Sequence, residues 1–139
     1  MKVKDKITRF YTIEDLEEIL DKLPYQIWLK DDEKKYIYIN KLGAEKLGIS
    51  KEEIIGKTDY EFREYDIAKE CDKTDIEVIE KKADIYNEEY SKIDDNEIWH
   101  KVYKFILHKE NKKEIIGGVA REISLDKNVQ LEIESNLMS

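Results

Sequence analysis

Cys71 and Asp75 stand one helical turn apart in the stretch DIAKECDKTDIEVIEKK over 66–82. Ala68, Cys71, Ile79 and Ala83 recur there at helical spacing, so Asp75 falls within an apolar stripe. A carboxylate in such a stripe needs a hydrogen-bonding partner or a neutralised charge. One reading makes Asp75, with Cys71 and Ile79, a polar anchor in a ligand cavity. The other makes it a structural tie that accepts bonds from the backbone of a neighbouring loop or strand. Buried polar groups are usually satisfied locally, which favours the tie. Cys71 itself reads as a small packing residue rather than a nucleophile.

His100 and His108 share one long strand-like segment, ~26 Å apart at strand rise, too far to share a metal directly. No glycine-rich phosphate loop, nucleophile elbow or metal-ligand spacing occurs. The chain therefore offers no catalytic constellation and does not read as an enzyme.

The elements that must position these residues are set by short-range signals. Thr12-Ile13-Glu14-Asp15 starts a helix whose apolar Ile13, Leu16, Ile19, Leu20 and Leu23 share a face, and Pro24 ends it. That face must be buried on its own sheet or on a second copy of itself. Residues 1–11 carry alternating Lys and apolar residues and read as a loose arm or part of a longer helix. Ile27–Leu29, a polar turn, and Tyr36–Ile39 read as two strands, the second with packing on both faces. Asn40 and Gly48 bracket a helix over 41–47, Ser50 and Gly56 a shorter one, and Thr58–Glu61 forms a third start signal.

Beyond the helix over 66–82, the segments 86–92, 97–108 and 114–124 alternate as strands, separated by turns at 94–96 and 109–112. On the second, Trp99, Tyr103, Phe105 and Leu107 lie on one face and Ile98, Val102 and Ile106 on the other. The order predicts an α+β fold, a five-stranded antiparallel sheet with helices on one face. Residues 126–138 read as a weak helix or the stump of a linker helix.

A net charge of −8 argues against nucleic acid as a main partner, because phosphate binding needs a basic face. One Cys and no signal peptide fit a reducing cytoplasmic setting. No apolar run approaches the ~20 residues that span a bilayer.

Leu23-Pro24, Trp28-Leu29-Lys30-Asp31, Ile39-Asn40, Leu47-Gly48-Ile49-Ser50, Glu53-Ile54-Ile55-Gly56-Lys57-Thr58-Asp59 and Gly117 to Ser124 follow one another in an order and spacing that resembles a PAS domain. This is the sensory module of many bacterial signalling proteins. The resemblance implies an N-terminal arm and helix over 1–24, the PAS domain over 25–124 and a linker or output-helix stump over 125–139. Gly118 to Ser124 is similar to the family's segment ending in Asp-Ile-Thr, with Glu122 and Ser124 in place of the acid and the hydroxyl. Arg121, Glu122 and Ser124 are thereby expected to relay a signal from sheet to output helix.

Haem is disfavoured, because 66–82 lacks the histidine that a haem-binding relative would carry. Covalent flavin is disfavoured, because Lys69-Glu70-Cys71-Asp72 does not match the Asn-Cys-Arg-Phe-type run of light-sensing relatives. The expected function is signal transduction: a homodimer that senses a small ligand or partner and acts on an output domain, as in a histidine kinase of a two-component system or a nucleotide-cyclase regulator. A ligand-free dimerisation scaffold and a redox protein with non-covalent flavin are the alternatives.

Overall fold

The computed structural model describes residues 12–93, 95–108 and 113–138. The arm over 1–11 and the turn over 109–112 lie outside them. Helix α1 (Ile13–Lys22) starts on a reciprocal cap. Asp15 N donates to Thr12 Oγ1 at 3.1 Å while Thr12 N donates to the Asp15 carboxylate at 3.0 Å. It stops before Pro24, which cannot continue it.

Strands β1 (Gln26–Lys30) and β2 (Tyr36–Ile39) pair antiparallel. Asn40 then secures the turn into α2 (Lys41–Leu47) with its whole amide. Its Oδ1 accepts from Gly43 N and Ile27 N, both at 3.0 Å, and its Nδ2 donates to Leu20 O and Tyr25 O. One buried side chain therefore caps a helix and ties α1 and β1 to it. Gly48, at φ +70°, closes α2 in the left-handed region that glycine enters without penalty.

After α3 (Lys51–Ile54), a 3₁₀ turn over Asp59–Glu61 leads into the long α4 (Tyr65–Lys81). Strands β3 (Ile85–Ile93), β4 (Asn96–His108) and β5 (Glu114–Glu122) complete a sheet of order β2-β1-β5-β4-β3, antiparallel throughout. This is the expected five-stranded α+β layout. The chain leaves it through α5 (Ser124–Met138), which buries no residue. No described helix is long and apolar enough to cross a membrane.

Two local expectations change. β2 is an edge strand whose packing is partial: Tyr36 and Ile39, three residues apart, are buried while Ile37 is 42% exposed. The residues 126–138 form one helix continuous with Ser124, separated from β5 by Ile123 alone.

Register decides which residues face the helices. Trp28 pairs with Gly118, which pairs in turn with Lys104. Gln26, Ala120, Val102 and Asn87 form the next row across the sheet. Side chains two residues apart share a face, so Trp28 and Lys30 stand beside His100, Val102 and Lys104 on one concave surface. Trp28 can lie across that surface because position 118 has no side chain. A Cβ on Gly118 would stand 2.2 Å from the indole ring.

Candidate functional site

Between the helices and this face of the sheet lies a cavity of about 440 Å³, within the range of small-molecule sites. Trp28 and Lys30 of β1, Tyr36 of β2, Arg63 after the 3₁₀ turn, Cys71 and Thr74 of α4, Asn87 and Glu89 of β3, and His100 and Lys104 of β4 line it.

Its deep end is a chain of alternating charges. Arg63 Nε donates to Asp59 Oδ1 at 2.7 Å, and Lys30 Nζ bridges Asp59 Oδ2 at 2.5 Å and Asp75 Oδ2 at 2.6 Å. The other oxygen of Asp75 accepts from Lys104 Nζ at 2.9 Å. Lys104 also donates to Thr74 Oγ1 and to the backbone oxygen of Cys71, and Glu89 stands 3.7 Å from it. Lys30, Lys104 and Asp75 are each 1% exposed. Such groups survive burial only because each charge faces opposite charges at contact distance.

Burial disfavours charge on both Lys30 and Asp59, but their neighbours overcome it. Tyr36, Asp75 and Asp59 hold the Lys30 pKa well above the ordinary lysine value. Lys30 and Arg63 hold Asp59 down at about 2, helped by the Tyr36 hydroxyl that donates to it at 2.8 Å. Burial pushes the Cys71 thiol up to about 11 against the pull of Arg63, so it stays protonated at neutral pH. Burial also lowers the His100 pKa, against the opposing Glu122 and Glu89.

Asp75 is therefore buried with polar partners, but these are lysine side chains rather than the loop or strand backbone expected from the sequence. The cavity wall contains Cys71 and not Asp75 or Ile79. Asp75 reaches the cavity through Lys30 and Lys104, which do line it. Lys30, Asp59 and Lys104 were not singled out from the sequence as site residues. The available signal was strand parity, which puts Lys30 with Trp28 and Lys104 with Val102 and Ile106.

Not every polar atom of the wall is satisfied. Trp28 Nε1, Asn87 Oδ1 and His100 Nε2 are buried without a hydrogen-bond partner, and all three residues line the cavity. Each such orphan costs about 1–3 kcal/mol relative to a bonded state.

At the mouth, Lys46 of α2 reaches Glu122 at the end of β5, with Nζ and Oε2 3.3 Å apart. This contact holds Glu122 below the usual carboxylate range although partial burial opposes it. Ser124 Oγ accepts from Trp99 N at 3.0 Å, and Ile123 N donates to Trp99 O at 2.8 Å. Arg121 points a weaker contact at Asp126, 3.7 Å away on α5. The structure thus places Arg121, Glu122 and Ser124 together where β5 passes into α5, and connects one of them to the cavity mouth.

No curated protein matches the chain in sequence. Among solved structures it is similar to the Vibrio cholerae VqmA dimer, described with LuxR-type receptors. The TM-score is 0.71 and the identity 22%, over 81% of this chain and 52% of that one. It thus spans about half of the length of that relative. It is also similar to the PAS domain of a Colwellia psychrerythraea protein, at TM-score 0.63 and 22% identity over 80% and 96% of the two chains. The PAS domain of Bordetella pertussis BvgS aligns at TM-score 0.68 and 16% identity, over 88% of this chain and 97% of that one. The family model described as PAS fold matches residues 20–126, all five strands of the sheet and every helix between them. The chain belongs to the PAS fold family.

Proposed function

We propose that the chain is a sensory PAS domain that binds a small molecule in the cavity between α4 and the sheet and passes the change along β5 into α5. The carrying observation is the set of buried, unpartnered polar atoms on Trp28, Asn87 and His100 around a cavity of ligand size. A site built to hold a ligand leaves such atoms for it, whereas a pure scaffold gains stability by satisfying or removing them. That a structural neighbour, VqmA, is known bound to DPO supports the same use of the fold. The PAS domain lies within residues 25–124, flanked by α1 and by α5 as an output connection.

Cys71 and Thr74 serve as wall residues, Asp75 positions the two cavity lysines, and Arg121, Glu122 and Ser124 form the relay. Ile13, Leu16 and Ile19 of α1, with Leu23 just after it, stay 37–79% exposed, which supports a homodimer formed through that helix. Structural neighbours from sensor histidine kinases support an output domain of that kind.

Native mass spectrometry of the full chain as purified tests this reading. A discrete added mass that disappears on denaturation is the expected result. A bare chain, with no small molecule from a cell extract binding to it, returns the protein to the scaffold alternative. A yellow solution with flavin absorbance supports the redox alternative.

A further inference from the structure

The chemistry left over in the cavity wall states what kind of molecule it takes, given the sensory reading above. Lys30 and Lys104 line the cavity, yet most of their N–H groups are already spent. Lys104 spends its three N–H groups on Cys71 O, Thr74 Oγ1 and Asp75 Oδ1. Lys30 spends two on Asp59 and Asp75 and faces the Tyr36 ring, 4.8 Å from its centroid. An anion reaching either ammonium group would have to compete with buried carboxylates.

The charges do not favour an anion either. Arg63, Lys30 and Lys104 face Asp59, Asp75 and Glu89, while Lys46 answers Glu122 and Lys127 answers Glu88 at 2.7 Å. Glu70, on the wall as well, adds negative charge. An anion brought in would be desolvated beside that surplus carboxylate, with the cations of the wall already paired.

What the wall lacks is neutral. Trp28 Nε1 seeks an acceptor, Asn87 Oδ1 seeks a donor, and His100 Nε2 can serve as either. Trp28 packs over Gly118, and its indole forms part of the cavity wall. We propose that the cavity takes an uncharged molecule of one or two rings carrying both an acceptor, set against the Trp28 N–H, and an N–H or O–H donor, the amide or lactam type.

The test uses shape-matched pairs that differ in charge, on the full chain at neutral pH: nicotinamide against nicotinate, and indole-3-carboxamide against indole-3-carboxylate. Ligand-observed NMR and calorimetric titration at millimolar concentration are the readouts. The amide of at least one pair is expected to bind with about tenfold or greater preference over its acid, a difference of about 1.4 kcal/mol. Trp28→Phe, which keeps a ring and removes the N–H, is expected to weaken that amide three- to tenfold, with its melting temperature recorded alongside. Equal or tighter binding of the acids, or no saturable binding by either amide, overturns the proposal. A carboxylic or phosphoric acid found as the co-purified mass also overturns it while leaving the sensory reading intact.

Discussion

Asp75, on α4, and Lys30, at the end of β1, meet at 2.6 Å with both side chains 1% exposed. The same carboxylate holds Lys104 of β4 through its second oxygen. One residue thus pins the long helix to two strands that are not neighbours in the sheet.

Asp75→Ala takes a carboxylate partner from two buried ammonium groups at once, leaving Lys30 with Asp59 and Lys104 with Glu89. Breaking a buried pair by removing one partner costs about 3–5 kcal/mol, more than the loss of a neutral hydrogen bond. Urea unfolding is expected to show a loss of this size. A change below about 1 kcal/mol would mean that water reaches the lysines.

Asp59 makes stability acid-sensitive in a narrow window. Its pKa is about 2 in the folded chain, below the ordinary value of 3.8. A depressed carboxylate contributes stability in full above its unfolded pKa, and loses it as pH falls through the folded one. The contribution is therefore complete above about pH 4 and fades towards pH 2, about 2 kcal/mol in all. Comparing Asp59→Asn with the parent in acid titrations of unfolding is expected to show the difference shrink across that range.

Local signals made most of the fold legible before any coordinates. Thr12, Asn40, Ser50 and Gly48 announce helix ends within three or four residues, and the alternation along 97–108 announces a strand with two faces. The deep end of the cavity was hidden for the opposite reason. Lys30 meets Asp59 and Asp75 at separations of 29 and 45 residues, and Lys104 meets Asp75 at 29. No local pattern tells a lysine bound for the interior from one on a solvated strand. Asp75 was recognisable as buried, because its own helix supplied the stripe, but its partners were not.

Gly118→Ala tests the packing of Trp28. The added Cβ meets the indole at 2.2 Å, and backbone on one side and the ring on the other leave it no room. Overpacking of this kind costs about 1–3 kcal/mol. The expected signature is a lower melting temperature with an altered tryptophan emission, since the ring must move into the cavity. Unchanged emission would contradict the contact.

Glu122→Ala removes the contact with Lys46 at the cavity mouth and leaves the strand pairing with His100 in place. Folding is expected to stay nearly intact, because the pair is 40–46% exposed. Amide exchange is expected to speed up in residues 125–138 alone. An unchanged tail would make Glu122 an ordinary surface charge.

The apolar face of α1 is checked by light scattering on the full chain and on a chain starting near Asp21. The full chain is expected to dimerise and the shorter one to remain a monomer. If both are monomers at high micromolar concentration, α1 is not a dimer contact in this chain.

Only Ile123 separates the last residue of β5 from the first of α5, and Trp99 grips both sides of it through Ile123 N and Ser124 Oγ. The sheet and the departing helix are therefore joined by a stiff elbow, and the helix acts as a lever. Its 15 residues extend about 22 Å at 1.5 Å per residue. A tilt of about 10° at Ser124 then sweeps Met138 through about 4 Å. A displacement at the strand end too small to disturb the sheet is multiplied, over this one helix, into a movement the width of a side chain.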